Sequence, residues 1–292
     1  MWSARPNLKS YLLEANKKTK MKLRTILSFL QQIQRLTKDD DFVYFFRGHA
    51  DEKKFELKPS IYREKKWIES EDILFKELVS HNPEEFRECR STIEYLVKMQ
   101  HYSLPTRLLD LTTNPLIALY FTVCEMDKSH GEVIVFKIPK KSIKYYDSDT
   151  VSVLANIAKC SSSFRCDDTL DKEKFNEEEH IGYLLHQIGD EKPHFQRIIA
   201  PEDINQVFCV KVKQSNPRII NQSGAFLLFG INKEKGEMAN VDGSWLPLKS
   251  DKKLLIYNKE KIRNDLELMG ITASFVYPEM ESFAKKLKDI YK

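Results

Sequence analysis

The chain has 292 residues, enough to bury the core of one large domain or of two modest ones. Hydrophobic residues make up 41% and charged residues 31%, which excludes an intrinsically disordered chain. The 47 Lys and Arg residues against 43 Asp and Glu residues leave a net charge of +4. An excess this small does not indicate a nucleic-acid-binding protein.

The five cysteines are scattered and include no CxxC pair, so neither a disulfide scaffold nor a zinc site is expected. The seven histidines are too dispersed to predict a metal centre. No stretch approaches the roughly 20 apolar residues of a membrane span, and the N-terminus lacks the apolar run of a signal peptide. We therefore expect a cytoplasmic protein that has no metal site and no membrane contact.

The predicted elements begin after residues 1–20, which show poor periodicity and which we expect to form a tail. The apolar spacing from Met21 to Ile33 predicts an amphipathic helix. The run Phe-Val-Tyr-Phe-Phe from Phe42 predicts a buried strand that ends on Arg47 and Gly48. Further helices are predicted over residues 71–80, 92–100, 150–159, 176–188, 258–270 and from 278 onward, and further strands over residues 131–139, 195–199, 207–212, 225–231 and 253–256.

The segment from residue 101 to residue 114 is predicted to be irregular and to lead into a core helix. Asn114 followed by Pro115 is typical of a helix N-cap and first helical position, and the helix to about Met126 is almost wholly apolar. No Gly-, Ser- or Pro-rich linker divides the chain. Strands connected over long distances, with helices interspersed irregularly, indicate a single α+β domain over residues 21–292, with a mixed sheet and helices packed around it.

Polar groups are concentrated between residues 101 and 115, where apolar helices flank them on both sides. Charges this close to a core must be paired, hydrogen-bonded or bound to a ligand. In a structural interpretation, Arg107 and Asp110 are buried and bridge each other. In a functional interpretation, His101 and Arg107 bind a phosphate or carboxylate, and Asp110 orients one of them. The spacing leaves both interpretations open.

Arg47 is a further candidate because it follows five apolar residues at the end of a predicted strand. A guanidinium in that position points either at a ligand beside the sheet edge or at a nearby carboxylate. Gly48 would then allow a sharp turn and the close approach of a ligand to the backbone.

Several stretches of the chain resemble the FRG domain, a family named after a Phe-Arg-Gly element that is here Phe46, Arg47 and Gly48. A second hallmark of the family is similar to the run Leu-Pro-Thr-Arg-Leu-Leu-Asp at residues 104–110. The other similar stretches are residues 57–63, 101–103, 111–115, 118–121, 216–219, 222–226 and 277–281. The resemblance therefore spans the chain from about Phe42 to the C-terminus.

The chain departs from the family pattern without losing a candidate polar group. Ser103 stands where glycine is common in the family, and this change loosens a turn. Leu111 stands where tryptophan is common, and Glu279 and Glu281 stand where aspartates are usual. The resemblance implies a bacterial or phage protein with a place in defence or conflict systems. The candidate catalytic residues are Arg47, His101 and Glu281, and the candidate ligand-binding residues are Gly48, Thr106, Arg107, Asp110, Tyr120, Arg218 and Gln222.

The first functional hypothesis is a non-catalytic binding module for a nucleotide or another anionic small molecule. Arg47, His101, Arg107 and Gln222 would form its pocket, and the surrounding helices would relay occupancy to a protein partner. The sequence does not identify a cofactor for this module. The arginines and the lack of an obvious nucleophile or metal favour this hypothesis.

The alternative is an enzyme similar to NAD-dependent ADP-ribosyltransferases, in which NAD is the cofactor. These enzymes have an early arginine, a later His-Tyr or serine-rich element and a late glutamate pair. Arg47, His101, Tyr120 and Glu281 follow a similar order here, and a run of three serines at residues 161–163 lies between them. In such enzymes the arginine or histidine holds NAD, and the glutamate stabilises an oxocarbenium-like transition state. A nuclease would need clustered carboxylates for Mg²⁺, and the only candidates, residues 177–179, are typical of a polar helix face.

Overall fold

Short strands and helices alternate irregularly along the chain. The computed structural model describes residues 21–167, 169–248, 253–280, 284, 287, 288 and 291. The strands are β1 (Met21–Leu23), β2 (Phe42–His49), β3 (Leu108–Thr112), β4 (Gly131–Pro139), β5 (Ile143–Tyr145), β6 (Val207–Lys211), β7 (Gly224–Phe229), β8 (Ile231–Asn232), β9 (Glu234–Met238) and β10 (Leu254–Ile256). The helices are α1 (Ile26–Leu36), α2 (Lys65–Glu69), α3 (Glu71–His81), α4 (Pro83–Phe86), α5 (Thr92–His101), α6 (Pro115–Val123), α7 (Asp149–Asn156), α8 (Lys172–Glu177), α9 (Glu179–Glu191), α10 (Pro201–Ile204), α11 (Pro217–Asn221), α12 (Lys259–Leu268) and α13 (Ala273–Val276).

Most of the described strands join one eight-stranded sheet, in the order β1-β10-β4-β2-β3-β7-β6-β5. β1 runs parallel to β10 and β5 runs parallel to β6, whereas the other neighbours in the sheet are antiparallel. β8 and β9 form a separate two-stranded ladder. This mixed sheet, with helices packed around it, confirms the predicted α+β class. Over the described residues, no helix has both the length and the apolar character needed to cross a bilayer.

Apolar side chains cover both faces of the sheet. On one face, α5, α7 and α9 pack against β3, β6 and β7, and α1, α6 and α12 pack against β2, β4 and β10. On the opposite face, Phe45, Leu109 and Phe136 pack with Ile61 and Trp245 from the connecting segments. The two central strands, β2 and β3, therefore lie where the two groups of helices on that face meet.

Helix α6 begins as the sequence predicts. The Asn114 side chain accepts a hydrogen bond from the main-chain N–H of Leu116 at 2.9 Å, and Pro115 occupies the first helical position. Such a cap satisfies one of the main-chain donors that a helix start leaves unpaired. Because the helix is apolar on nearly all sides, it is buried against β2 and β4.

Two glycines let α6 approach the sheet closely. A Cβ atom on Gly48 would lie 2.0 Å from the carbonyl oxygen of Ala118, and one on Gly131 would lie 2.7 Å from the Cβ of Thr122. The sharp turn expected at Gly48 is wrong, because β2 continues through this residue to His49 and stays paired with β4. Gly48 is needed here because the main chain of α6 lies against it.

Three local predictions are wrong, and each involves a short element. Residues 21–23 form β1 beside β10, so α1 begins only at Ile26. The segment expected to be irregular contains the central strand β3. Residues 195–199, expected to form a strand, have no regular structure, and the main chain of Ile199 instead bonds the side chain of Asn176. The predicted tail, and most of the helix predicted from residue 278, lie outside the described residues.

Candidate functional site

The sheet opens between its two central strands. β2 pairs with β4 over eight residues, but it pairs with β3 only where Phe46 lies opposite Thr112. Beyond that pair a cavity of about 390 Å³ lies between the strands, and we call it the rift. Its size suits a small-molecule ligand. The lining of the rift includes Arg47, Gly48, His49, Phe55, Ser60, Arg63, Gln100, Asp110, Phe121, Glu125, Arg218, Gln222 and Tyr277.

Arg47 reaches across the rift from β2 to β3. Its Nη1 donates a hydrogen bond to the carbonyl oxygen of Asp110 at 2.7 Å, and its Nε donates to Nε2 of His49 at 3.1 Å. The Asp110 carboxylate lies 3.8 Å from Nη1. Within the part of the chain that the structure describes, no protein group accepts a hydrogen bond from Nη2. This end of the guanidinium is therefore available to a ligand.

The Asp110 side chain is held by a short network that begins in the core. Its Oδ1 accepts a hydrogen bond from Nε2 of Gln100 at 2.7 Å, and Oε1 of Gln100 accepts one from the Thr106 hydroxyl. The Thr106 main-chain N–H donates to the Ser60 hydroxyl oxygen at 3.0 Å. The expectation that Asp110 is buried is wrong, because its side chain is 55% exposed where the rift opens to solvent.

Two more guanidinium groups line the rift. Arg63 donates a long hydrogen bond of 3.5 Å to the carbonyl oxygen of Lys58, and it forms no ion pair with any described residue. Arg218 lies over the ring of Tyr277, with the guanidinium carbon 4.8 Å from the ring centre. Its Nη1 is 3.8 Å from Oε1 of Glu279, which is longer than a hydrogen bond.

Positive charge exceeds negative charge in the described lining of the rift. Three guanidinium groups face two carboxylates, those of Asp110 and Glu125. Burial lowers the pKa of the Arg47 guanidinium, Asp110 opposes this shift, and Arg63 adds to it. An anion placed beside Arg47 would offset both the burial of its charge and the repulsion by Arg63.

Aromatic rings complete the lining. The rings of Phe121 and Tyr277 meet edge to face with their centres 6.3 Å apart, and Phe55 lies 5.6 Å from the imidazole of His49. The rift thus combines cationic groups with flat apolar surfaces.

His101 does not line the rift. It ends α5 and lines a second cavity of about 310 Å³. Its Nδ1 lies 3.4 Å from Nδ2 of Asn216 and 3.6 Å from Oε1 of Glu279. Burial lowers the pKa of His101 and the charge of Arg218 adds to this, while Glu279 opposes it. The same Glu279 oxygen is near Arg218, so this carboxylate lies between the two cavities.

Arg107 belongs to the core, and the expected bridge between Arg107 and Asp110 is wrong. Arg107 is fully buried, and its Nε donates to Oε1 of Glu71 at 3.0 Å. Its Nη1 donates to the carbonyl oxygen of Phe229 at 3.1 Å, and its Nη2 pairs with the other oxygen of Glu71. Lys235 is 3.2 Å from the same carboxylate. A buried charge at Arg107 is thus compensated by protein groups.

The remaining candidates are dispersed around the rift. Tyr120 is buried in α6 outside the lining, where burial raises the pKa of its hydroxyl. Gln222 lines the rift, but its Nε2 donates to the carbonyl oxygen of Val276 at 3.0 Å, which ties the end of α11 to α13. Glu281 lies outside the described residues.

Several lining residues were not predicted from the sequence, among them His49, Arg63, Gln100 and the aromatic residues of the rift. His49 follows Arg47 by two positions in a strand, which places both side chains on one side of it, and this spacing is a usable signal. Arg63 ends the FRG-like stretch 57–63 and could have been selected for that reason. Gln100 ends a predicted helix and shows no local pattern that indicates a role. Ser103 has a left-handed backbone with φ of 65°, which explains why glycine suits this position.

Comparison with known proteins agrees with the resemblance over part of the chain. A model of the FRG domain matches residues 43–131, from β2 through α6 to the first residue of β4. Neither a search of curated proteins nor a search of solved structures gave a match. The matched segment supplies Arg47, Arg63, Gln100 and Asp110, and therefore both walls of the rift. The chain thus contains an FRG domain within residues 43–131.

Proposed function

We propose that the rift binds an anionic small molecule. The observation that supports this proposal is the set of three guanidinium groups on one cavity, with Nη2 of Arg47 left without a described protein partner. Guanidinium groups donate paired hydrogen bonds to phosphate and carboxylate oxygens, and these bonds are strong where water is displaced. The position of Arg63, without an ion pair among the described residues, adds a second donor group for the same anion.

Within this class a nucleotide fits the lining best. Phe55, Phe121 and Tyr277 offer ring faces or edges in the cavity that holds the arginines. A base that stacks on an aromatic ring gains about 1–3 kcal/mol, and the phosphates would meet Arg47 and Arg63. The protein would then act as a binding module together with a protein partner. A role in bacterial defence stays a prediction from the resemblance.

Replacement of Arg47 by alanine is expected to weaken anion binding by about ten- to a hundredfold, because a hydrogen bond to a charged group contributes about 1.5–3 kcal/mol. The measurement is titration calorimetry of the whole chain with phosphate, pyrophosphate, AMP, ADP and NAD, with neutral adenosine for comparison. Arg63→Ala should weaken the binding of the same ligands.

The matched control is Arg87→Ala, which removes an arginine that is exposed on the surface and pairs with Glu84 three residues earlier. It should leave all affinities unchanged. Equal affinities for wild type and Arg47→Ala would refute the proposed site. Binding of adenosine as tight as that of ADP would refute the role of the phosphates.

One observation favours the enzymatic alternative. Glu279, the first residue of the late glutamate pair, lies close to the candidate catalytic residue His101. Its carboxylate is 3.6 Å from His101 and 3.8 Å from Arg218 at the side of the rift. In an ADP-ribosyltransferase a carboxylate beside bound NAD would stabilise positive charge that develops on the ribose. Asp110 and Glu125 are further carboxylates in the described lining.

The test of this alternative is NAD turnover, followed by mass spectrometry in the presence of cell lysate. Consumption of NAD that Arg47→Ala and Glu281→Gln both abolish, with ADP-ribose added to an acceptor, would support the enzyme. Binding of NAD without turnover, weakened by Arg47→Ala and unaffected by Glu281→Gln, would support the binding module.

A further inference from the structure

The hydrogen bond between Arg47 and His49 assigns a proton to the imidazole. Nε of Arg47 always carries hydrogen, so Nε2 of His49, 3.1 Å away, must be the acceptor. A neutral imidazole that accepts at Nε2 carries its proton on Nδ1. His49 is 2% exposed, and its Nδ1 is buried without a partner among the described residues.

The surroundings of His49 keep it neutral. Burial, followed by the charges of Arg47, Lys253 and Arg63, lowers the pKa of His49 to about 3. Glu132 lies opposite His49 in the β2–β4 ladder, but Lys253 binds this carboxylate at 3.1 Å. The Phe55 ring covers the imidazole from the connecting segment. The lone pair on Nε2 therefore stays available to Arg47 over the physiological pH range.

An unpaired N–H donor on a buried side chain is a cost that a purely apolar residue would avoid. A leucine could fill this position in the core without leaving a polar group unpaired. The feature that histidine adds is the acceptor for Nε of Arg47. With Nε bound to His49 and Nη1 bound to the Asp110 carbonyl oxygen, the guanidinium plane is fixed from two sides.

We propose that His49 is a positioning residue for anion binding, which holds Arg47 so that its Nη2 faces the ligand. This inference rests on the proposed function of the rift. His49 does not itself need to touch the ligand, since it acts through the orientation of Arg47. The residue two positions after the arginine thereby becomes a determinant of affinity.

The first test measures the affinity of wild type, His49→Leu and His49→Gln for pyrophosphate. His49→Leu removes the acceptor and is expected to weaken binding about tenfold or more, as loss of a bond to a charged group predicts. His49→Gln offers an amide oxygen to Nε of Arg47 and is expected to stay within about threefold of wild type. Thermal unfolding of each variant shows whether it is folded.

The second test uses the wild-type chain alone, so it does not depend on the folding of a variant. Long-range ¹⁵N–¹H correlation spectra of histidine-labelled protein report which imidazole nitrogen carries the proton. We expect His49 to be neutral with its proton on Nδ1 throughout about pH 5 to 8. A resonance that titrates in this range, or a proton on Nε2, would overturn the inference.

Affinity for pyrophosphate that is the same in His49→Leu and wild type would also overturn it, as would equal losses in His49→Leu and His49→Gln. If wild type binds no pyrophosphate, AMP or ADP, the proposed function fails. The spectra would then still decide whether the Arg47–His49 bond exists.

Discussion

Glu71→Gln is expected to lower the free energy of unfolding by about 3–5 kcal/mol, because removal of one partner of a buried ion pair leaves its counterpart uncompensated. Here two cations would be left, since Arg107 and Lys235 both pair with the Glu71 carboxylate. Arg107 is fully buried, so water cannot replace the lost negative charge. Denaturant-induced unfolding of the two proteins measures the difference.

The matched control for this prediction is Glu77→Gln in the same helix, α3. Glu77 is 64% exposed and faces His81 on the surface, so its replacement should change stability by no more than about 0.5 kcal/mol. If Glu71→Gln were as stable as Glu77→Gln, the buried charges would not hold α3 to the sheet.

The pH dependence of stability gives the Glu71 prediction a second readout. Burial alone would raise the pKa of Glu71, but Arg107 and Lys235 outweigh it, so the pKa falls below its usual 4.5. A carboxylate with a lowered folded-state pKa stabilises the protein above the pKa of the unfolded chain. This contribution is lost as the pH falls from 4.5 through the folded-state pKa. Over that range wild type should lose more stability than Glu71→Gln.

Gly48→Ala is expected to destabilise the fold by about 1–3 kcal/mol or more, as overpacking of a core does. The added Cβ would lie 2.0 Å from the carbonyl oxygen of Ala118, and a main-chain atom cannot move unless α6 moves with it. Arg47 and His49 flank this position, so the shift should also weaken anion binding. Denaturant-induced unfolding and pyrophosphate titration measure the two effects.

Gly182→Ala and Gly189→Ala are the controls, because both glycines lie in α9 and a methyl group at either position would have no atom within 4 Å apart from the adjacent residues and backbone of its own helix. Alanine stabilises a helix by about 1 kcal/mol relative to glycine, so these changes should act in the opposite direction. Destabilisation of similar size at all three positions would show that the contact of Gly48 with α6 is not the cause.

Local patterns predicted much of the fold. The aromatic run of β2, the apolar helix α6 and the Asn114 cap were recognised because each depends on neighbouring residues only. β3 was missed because it is five residues long, carries Asp110 at its centre and lies between Pro105 and Asn114. Such a strand forms because β7 pairs along its whole length, which no local pattern reveals.

The candidate site was predicted in part, for a similar reason. Arg47 and Asp110 do meet, whereas Arg107 pairs with Glu71, which precedes it by 36 residues, instead of with its near neighbour. Successive residues of a strand point to opposite faces, but the sequence does not say which face is open. Residue type alone therefore could not show that Arg107 lies in the core and Arg47 in the rift.

The single residue pair between β2 and β3 has a consequence for where the folding unit ends. The segment matched by the FRG domain contains both strands, but β2 obtains its long ladder from β4 and β3 obtains its ladder from β7. Excised at residues 43–131, these strands would keep one mutual pair, and each would lose the partner on its other edge, which favours aggregation over folding. The smallest fragment that folds should therefore extend well beyond the segment by which the domain is recognised, at least through β7.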